Sequence, residues 1–150
     1  MSRKRSSYRP RAQLPDPLAY VLNGFRPVSI ATDVIRSART KNHLALGLLR
    51  TGKAGQDDVK TLAAALNVAE ALAHLGVGQD WLEEIKTALG AVEAMSKRNN
   101  FVFTGPELTS VNLVMEVHDL QLDKATINQM EEALEIVRKV LALKRKQVPK

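Results

Sequence analysis

The chain has 150 residues, 22 Lys and Arg against 16 Asp and Glu, and no cysteine. That length suits one domain, long enough to bury roughly 68–70% of the surface its unfolded chain would expose. Lack of cysteine excludes a disulfide framework, a thiolate nucleophile and a cysteine-ligated zinc, and fits a reducing cytoplasm. Alanine, leucine and valine dominate the apolar content while aromatics reach only 4%, a palette that favours helices over sheets.

The net charge of +6 conceals a segregation. Residues 1–12 carry five bases and no acid, and residues 138–150 carry six bases and no acid. The stretch between them holds the other eleven bases and all 16 acids, a net of −5. A mildly acidic body with basic ends favours an anionic partner for the ends, or contact between the ends and the body. No apolar run of about 7–15 residues follows the charged start, so it does not read as a secretory signal. Asn67, Glu70 and His74 interrupt the longest apolar stretches, well short of the ~18 residues of a membrane span. The composition predicts a soluble cytoplasmic protein with no membrane partner.

In chain order, residues 1–15 read as a disordered basic arm, Ser-rich and containing Pro10 and Pro15. Asp16-Pro17 is a helix start, an N-cap followed by a first-turn proline. It opens a short helix covering Leu18, Tyr20, Val21 and Leu22 that Gly24 ends. A second helix is predicted over residues 29–50, stopped by Gly52. Its apolar arc holds Ile30, Ala31, Val34, Ile35, Ala38, Ala45, Leu46, Leu48 and Leu49, with Asn42 inside the arc.

Residues 57–75 form a helix that is apolar over more than half its circumference. Only Lys60, Asn67, Glu70 and His74 make a polar strip. Such a helix is packed on several sides, which places it at the centre of a bundle with Gly76 as its C-terminal stop. A fourth helix, residues 80–96, opens with Asp80 and Glu83 at capping-box spacing. Phe101-Val102-Phe103 then reads as a short extended piece or a hydrophobic clasp.

Thr104-Gly105-Pro106-Glu107 is another capping box. The helix it opens carries one stripe of Leu108, Val111, Met115 and Leu122 and a second of Leu113, Val117 and Leu120. One small bundle readily covers a single stripe from within, so the second predicts a homodimer. The last helix, residues 125–143, begins near Thr126 and Gln129 and has the stripe Ile127, Met130, Leu134, Val137, Val140 and Leu141. Glu135 is placed to pair with Arg138 and Lys139. Short loops make successive helices antiparallel.

The candidate binding residues are cationic. Arg3, Lys4, Arg5, Arg9 and Arg11 can neutralise phosphates, and Tyr8 among them can stack on a base. Lys144, Arg145 and Lys146 form a second cluster, although cations at a helix C-terminus are also favoured by its dipole, by about 0.3–1 kcal/mol each. A solubilising tail is the competing explanation for the arm. His43, His74 and His118 lie on three different predicted helices without a metal-binding spacing such as HExxH, so they read as structural. Glu70 and His74, with Asn67 adjacent, form either a polar pocket or a solvent-facing strip. Asn42 reads either as a buried polar group bonding a neighbouring helix, the favoured reading, or as a specificity device at an oligomer interface. Gly52-Lys53-Ala54-Gly55 lacks the P-loop spacing and the preceding strand.

Several segments together carry a resemblance. They are residues 1–11, Asp16-Pro17, Lys41-Asn42-His43, Thr61-Leu62, residues 67–72 and His118-Asp119-Leu120-Gln121-Leu122. In these the chain resembles small proteins encoded by bacteriophages and prophages of proteobacteria, over most of its length. The resemblance implies a bacterial cytoplasmic setting and an accessory role without catalysis, and it transfers no functional residue.

The sequence thus predicts an all-α fold, a compact bundle of five main helices plus a short N-terminal one. It assigns residues 1–15 to the arm, 16–146 to one helical domain and 147–150 to a tail. The expected function is non-enzymatic association with DNA or RNA through the basic termini, with no cofactor or metal. The alternative is a module that engages or inhibits a host protein.

Overall fold

The computed structural model describes residues 22, 24–98 and 100–148. Among them run five α-helices: α1 (Thr32–Arg50), α2 (Gln56–His74), α3 (Leu82–Lys97), α4 (Gly105–Lys124) and α5 (Ile127–Gln147). The described residues contain no strand, and the architecture is the all-α bundle that the composition predicts. The predicted arm lies outside the described residues, and so does the short N-terminal helix except for Leu22 and Gly24.

α2 is the centre. It packs against each of the other four helices, and Val59, Leu62, Ala65, Leu66, Ala69, Ala71, Leu72 and Ala73 are buried along it. Four of those eight are alanines, whose small side chains let neighbouring helices approach closely. Its end is fixed by local chemistry. Gly76 takes φ +91°, so its N–H reaches the Ala73 carbonyl at 3.1 Å and the Val77 N–H reaches Leu72 at 2.9 Å. This is a Schellman stop, closed by apolar Val77 and Leu72 in one buried cluster.

The core has two parts. Leu46 and Leu49 of α1 join α2, Ile85, Val92 and Met95 of α3, and Val111, Val114 and Met115 of α4 in the larger one. Phe103 is buried in it and Phe101 packs at its edge, so Phe101-Val102-Phe103 is a clasp and not a strand. The smaller part gathers Val28, Ile35, Leu72, Val77, Leu122, Ala125 and Ala133 where α4 turns into α5. There the chain before α1 is stitched to the turn: the Val28 N–H donates to Ala125 at 2.8 Å and the Ile127 N–H donates to Arg26 at 2.9 Å. A Cβ on Gly24 would meet the Asn128 side chain, with Oδ1 at 2.2 Å, so a larger residue there requires that side chain to move.

Both later capping boxes form. Thr104 Oγ1 accepts from the Glu107 N–H at 3.4 Å and Thr126 Oγ1 from the Gln129 N–H at 3.2 Å, each reciprocated by the Glu or Gln side chain. The expected cap at Asp80 does not. Gly78 enters the left-handed region at φ +76° and a 3-10 turn over Gln79–Trp81 precedes α3, which starts at Leu82 without a side-chain cap.

Two expected apolar stripes are only partly used. Val34 of α1 stands 69% exposed. On α5 only Ala133 is fully buried, and Leu134, Val140 and Leu141 stay exposed. The helix packs on α2 and runs to Gln147, four residues beyond the expected end at Leu143.

Candidate nucleic-acid interface

The α5 helix arranges charge along its length. Glu131, Glu132 and Glu135 sit in its first half, and Arg138, Lys139, Lys144, Arg145 and Lys146 follow. Glu135 accepts from Arg138 Nε at 2.9 Å and Nη2 at 2.6 Å, and Lys139 Nζ stands 3.7 Å from the same carboxylate. That bidentate pairing holds the Glu135 carboxyl below its ordinary value. One turn later the acids run out. Lys144, Arg145 and Lys146 are exposed and form no ion pair among the described residues. The negative end of the helix dipole lies under them, and their charge complements it. Of the arm, Arg3, Lys4, Arg5, Tyr8, Arg9 and Arg11 all lie outside the described residues.

Beside the basic end lies a groove of about 410 Å³ between α2 and α5. Asn67, Glu70 and His74 form its polar wall, and Ile136, Val137, Val140 and Leu141 form its apolar wall. The strip that the sequence leaves open between pocket and solvent-facing surface is thus one side of a cleft. His74 Nε2 and Glu70 Oε1 stand 4.0 Å apart, a helix-surface pair at i, i+4. Asn42 is partly buried at the margin of α1 and not sealed in the core.

The three histidines do not converge. His43 Nε2 lies 2.7 Å from Asp119 Oδ2 at the surface. Arg39 donates to the Asp119 carbonyl at 2.8 Å and to Asp123, clamping α1 to α4. His118 is buried one residue away, where desolvation pushes its pKa below the ordinary imidazole value. Its Nδ1 is 3.3 Å from Gln121 Oε1, an acceptor, so Nδ1 carries the proton. No group of three His, Cys, Asp or Glu side chains able to hold a metal occurs among the described residues.

Sequence reasoning passed over Gln121. It is buried, and its amide donates to the Ala69 carbonyl at 3.0 Å and the Val77 carbonyl at 2.8 Å. One side chain therefore joins α4 to α2 and to the turn after it. The visible signal was its i+3 spacing from His118 on an otherwise apolar face. Arg98 with Glu107 is a second link passed over: two contacts at 2.8 and 2.9 Å, with Glu107 also bonded to the Thr104 N–H, hold the Glu107 carboxyl down to about 2.

No family model, curated protein or solved structure matches the chain.

Proposed function

We propose that the protein is a non-enzymatic accessory protein of phage or prophage origin that associates with nucleic acid through its basic ends in the bacterial cytoplasm. The observation that carries this reading is the contrast along α5. Arg138 and Lys139 share the carboxylate of Glu135, whereas Lys144, Arg145 and Lys146 project without an acidic partner among the described residues. Exposed cations on a protruding helix end suit phosphate oxygens, which fix position without reading bases. The arm adds Arg3, Lys4, Arg5, Arg9 and Arg11, with Tyr8 as a stacking surface. No sequence preference is expected from such contacts.

Fluorescence anisotropy on DNA and RNA at several salt concentrations tests it. About four or five phosphate contacts give a log–log slope near −4 on duplex DNA. Replacing Lys144, Arg145 and Lys146 by Ala flattens the slope, and removing residues 2–11 flattens it again while the melting temperature stays put. Absence of binding to either nucleic acid at low salt would overturn the reading.

The groove between α2 and α5 favours a second reading, a module that engages a host protein. Its apolar α5 wall opposite Asn67, Glu70 and His74 suits a protein segment better than a polyanion. In that case binding survives loss of residues 2–11 and is lost in Val140→Asp.

A further inference from the structure

Exposed apolar surface concentrates on α5. Leu134, Val140, Leu141, Leu143 and Val148 are each at least 42% exposed along this one helix and its cap. Their placement is regular. Ile127, Met130, Leu134, Val137, Leu141, Lys144 and Val148 follow one another at alternating steps of three and four residues, the spacing of a coiled-coil seam. Ile127, Met130 and Val137 are partly covered by the body of the protein, while Leu134 is 51% exposed and Leu141, at the rim of the groove against α2, is 42% exposed. A seam of this kind wants a second helix.

The edge of the seam says which helix. Glu131, Arg138 and Arg145 recur at intervals of seven along it, so its sign changes from acidic to basic between the two ends. We propose that α5 pairs antiparallel with α5 of a second copy of this chain, about a two-fold axis near Arg138. Glu131 of one copy then faces Arg145 of the other, and the symmetry repeats the contact. Arg138, at the axis, is already neutralised by its two bonds to Glu135. A parallel pair would instead set Lys144 on Lys144, a like-charge contact within the seam. A surface that is complementary to itself under a two-fold rotation is what an isologous dimer requires.

The homodimer expected from α4 would use a different surface, and that surface is broken. Val117 is buried, which leaves Leu113 and Leu120 two turns apart with exposed Glu116 between them. The α5 helix runs 21 residues, roughly 30 Å, and Leu134, Leu141 and Val148 stay exposed along it and its cap at steps of seven. The pairing engages Arg145 and sets Lys144 in the seam, two of the bases assigned to phosphate, and leaves Lys146 for that contact. Lys146 recurs with Glu132 and Lys139 on another line of the helix, away from the seam, and stays open to solvent.

Sedimentation equilibrium of the full chain over a wide concentration range tests the pairing, with circular dichroism confirming the fold of each variant. The wild-type chain is expected to dimerise. Leu134→Asp with Leu141→Asp, at two exposed positions, should yield a helical monomer. Glu131→Arg alone should raise the dimer Kd by at least about tenfold, and adding Arg145→Glu should restore it. Leu120→Asp should leave the dimer unchanged. The pairing is overturned by a wild-type chain that stays monomeric, by a dimer that survives Leu134→Asp with Leu141→Asp, or by a dimer lost in Leu120→Asp. Failure of the exchanged charges to rescue Glu131→Arg overturns it as well.

Discussion

α2 and α5 are close in length, 19 and 21 residues, and both are built from leucine, valine and alanine between short polar runs. Eight residues of α2 are buried and one of α5 is. The difference lies in what surrounds them. α2 contacts all four of the other helices, and alanines at Ala65, Ala69 and Ala73 let those helices close in. α5 rests chiefly on α2, through Ala133 and its partly covered neighbours Ile136 and Val137. An apolar stripe shows that a helix face can be covered. The neighbours decide whether it is.

The largest effect expected from this contrast is on stability. Leu66, fully buried on α2, should cost about 2–5 kcal/mol when truncated to Ala. Leu134→Ala on α5 should shift the monomer by no more than about 0.5 kcal/mol, as surface changes do. Urea denaturation of the two variants, in monomer-forming conditions, measures both. Equal losses would mean that α5 is packed as tightly as α2.

A smaller effect is expected at the polar link that holds α4 on α2. Gln121→Leu keeps the volume but leaves the Ala69 and Val77 carbonyls without their side-chain donor. A buried acceptor left unpaired costs about 1–3 kcal/mol, so the urea midpoint should fall clearly, though by less than in Leu66→Ala. Gly78→Ala is expected to loosen the same link, since its φ of +76° disfavours a side chain and a Cβ would come 3.1 Å from Gln121 Nε2.

The smallest and most gradual effect is on pH dependence. His118 is held neutral by burial, opposed by its bond to Gln121 and the charge of Asp119, and reinforced by Arg39 and His43. Its folded pKa lies below the unfolded value near 6.5, so the unfolded chain binds the proton first. Stability contributed here is complete above pH 6.5 and declines as pH falls through the folded pKa. Glu107 follows the same sign lower down: its share is present above about 4.5 and is lost as pH falls towards about 2. Melting curves from pH 7.5 to 5 should drop in the wild-type chain and drop less in His118→Gln.

What was legible in the sequence was local. The caps at Thr104 and Thr126 depend on residues three apart and form as the spacing dictates. The all-round apolarity of residues 57–75 placed α2 at the centre, and its glycine stop followed from one φ angle. Asp80 had the same spacing as the true caps and failed, because Gly78 turns the chain into a 3-10 turn before α3 begins. The exposure of Val34 and Leu134 could not be read from periodicity, which is blind to a missing neighbour. Of the candidate interface, the bases after Glu135 were legible as a cluster. Their lack of acidic partners among the described residues depended on where α5 leaves the body.

The stitching of the chain before α1 onto the α4–α5 turn has a mechanical consequence. Arg26 and Val28 are bonded to Ile127 and Ala125, on either side of Thr126, with Pro27 bridged to Thr126 itself. Tension applied to the chain ahead of Leu22 therefore arrives at the root of α5 before it reaches the leucines of the larger core. The helix that carries the unpaired bases and the open seam hangs from the same anchor, so a tug at one end of the chain is delivered to the base of the lever at the other.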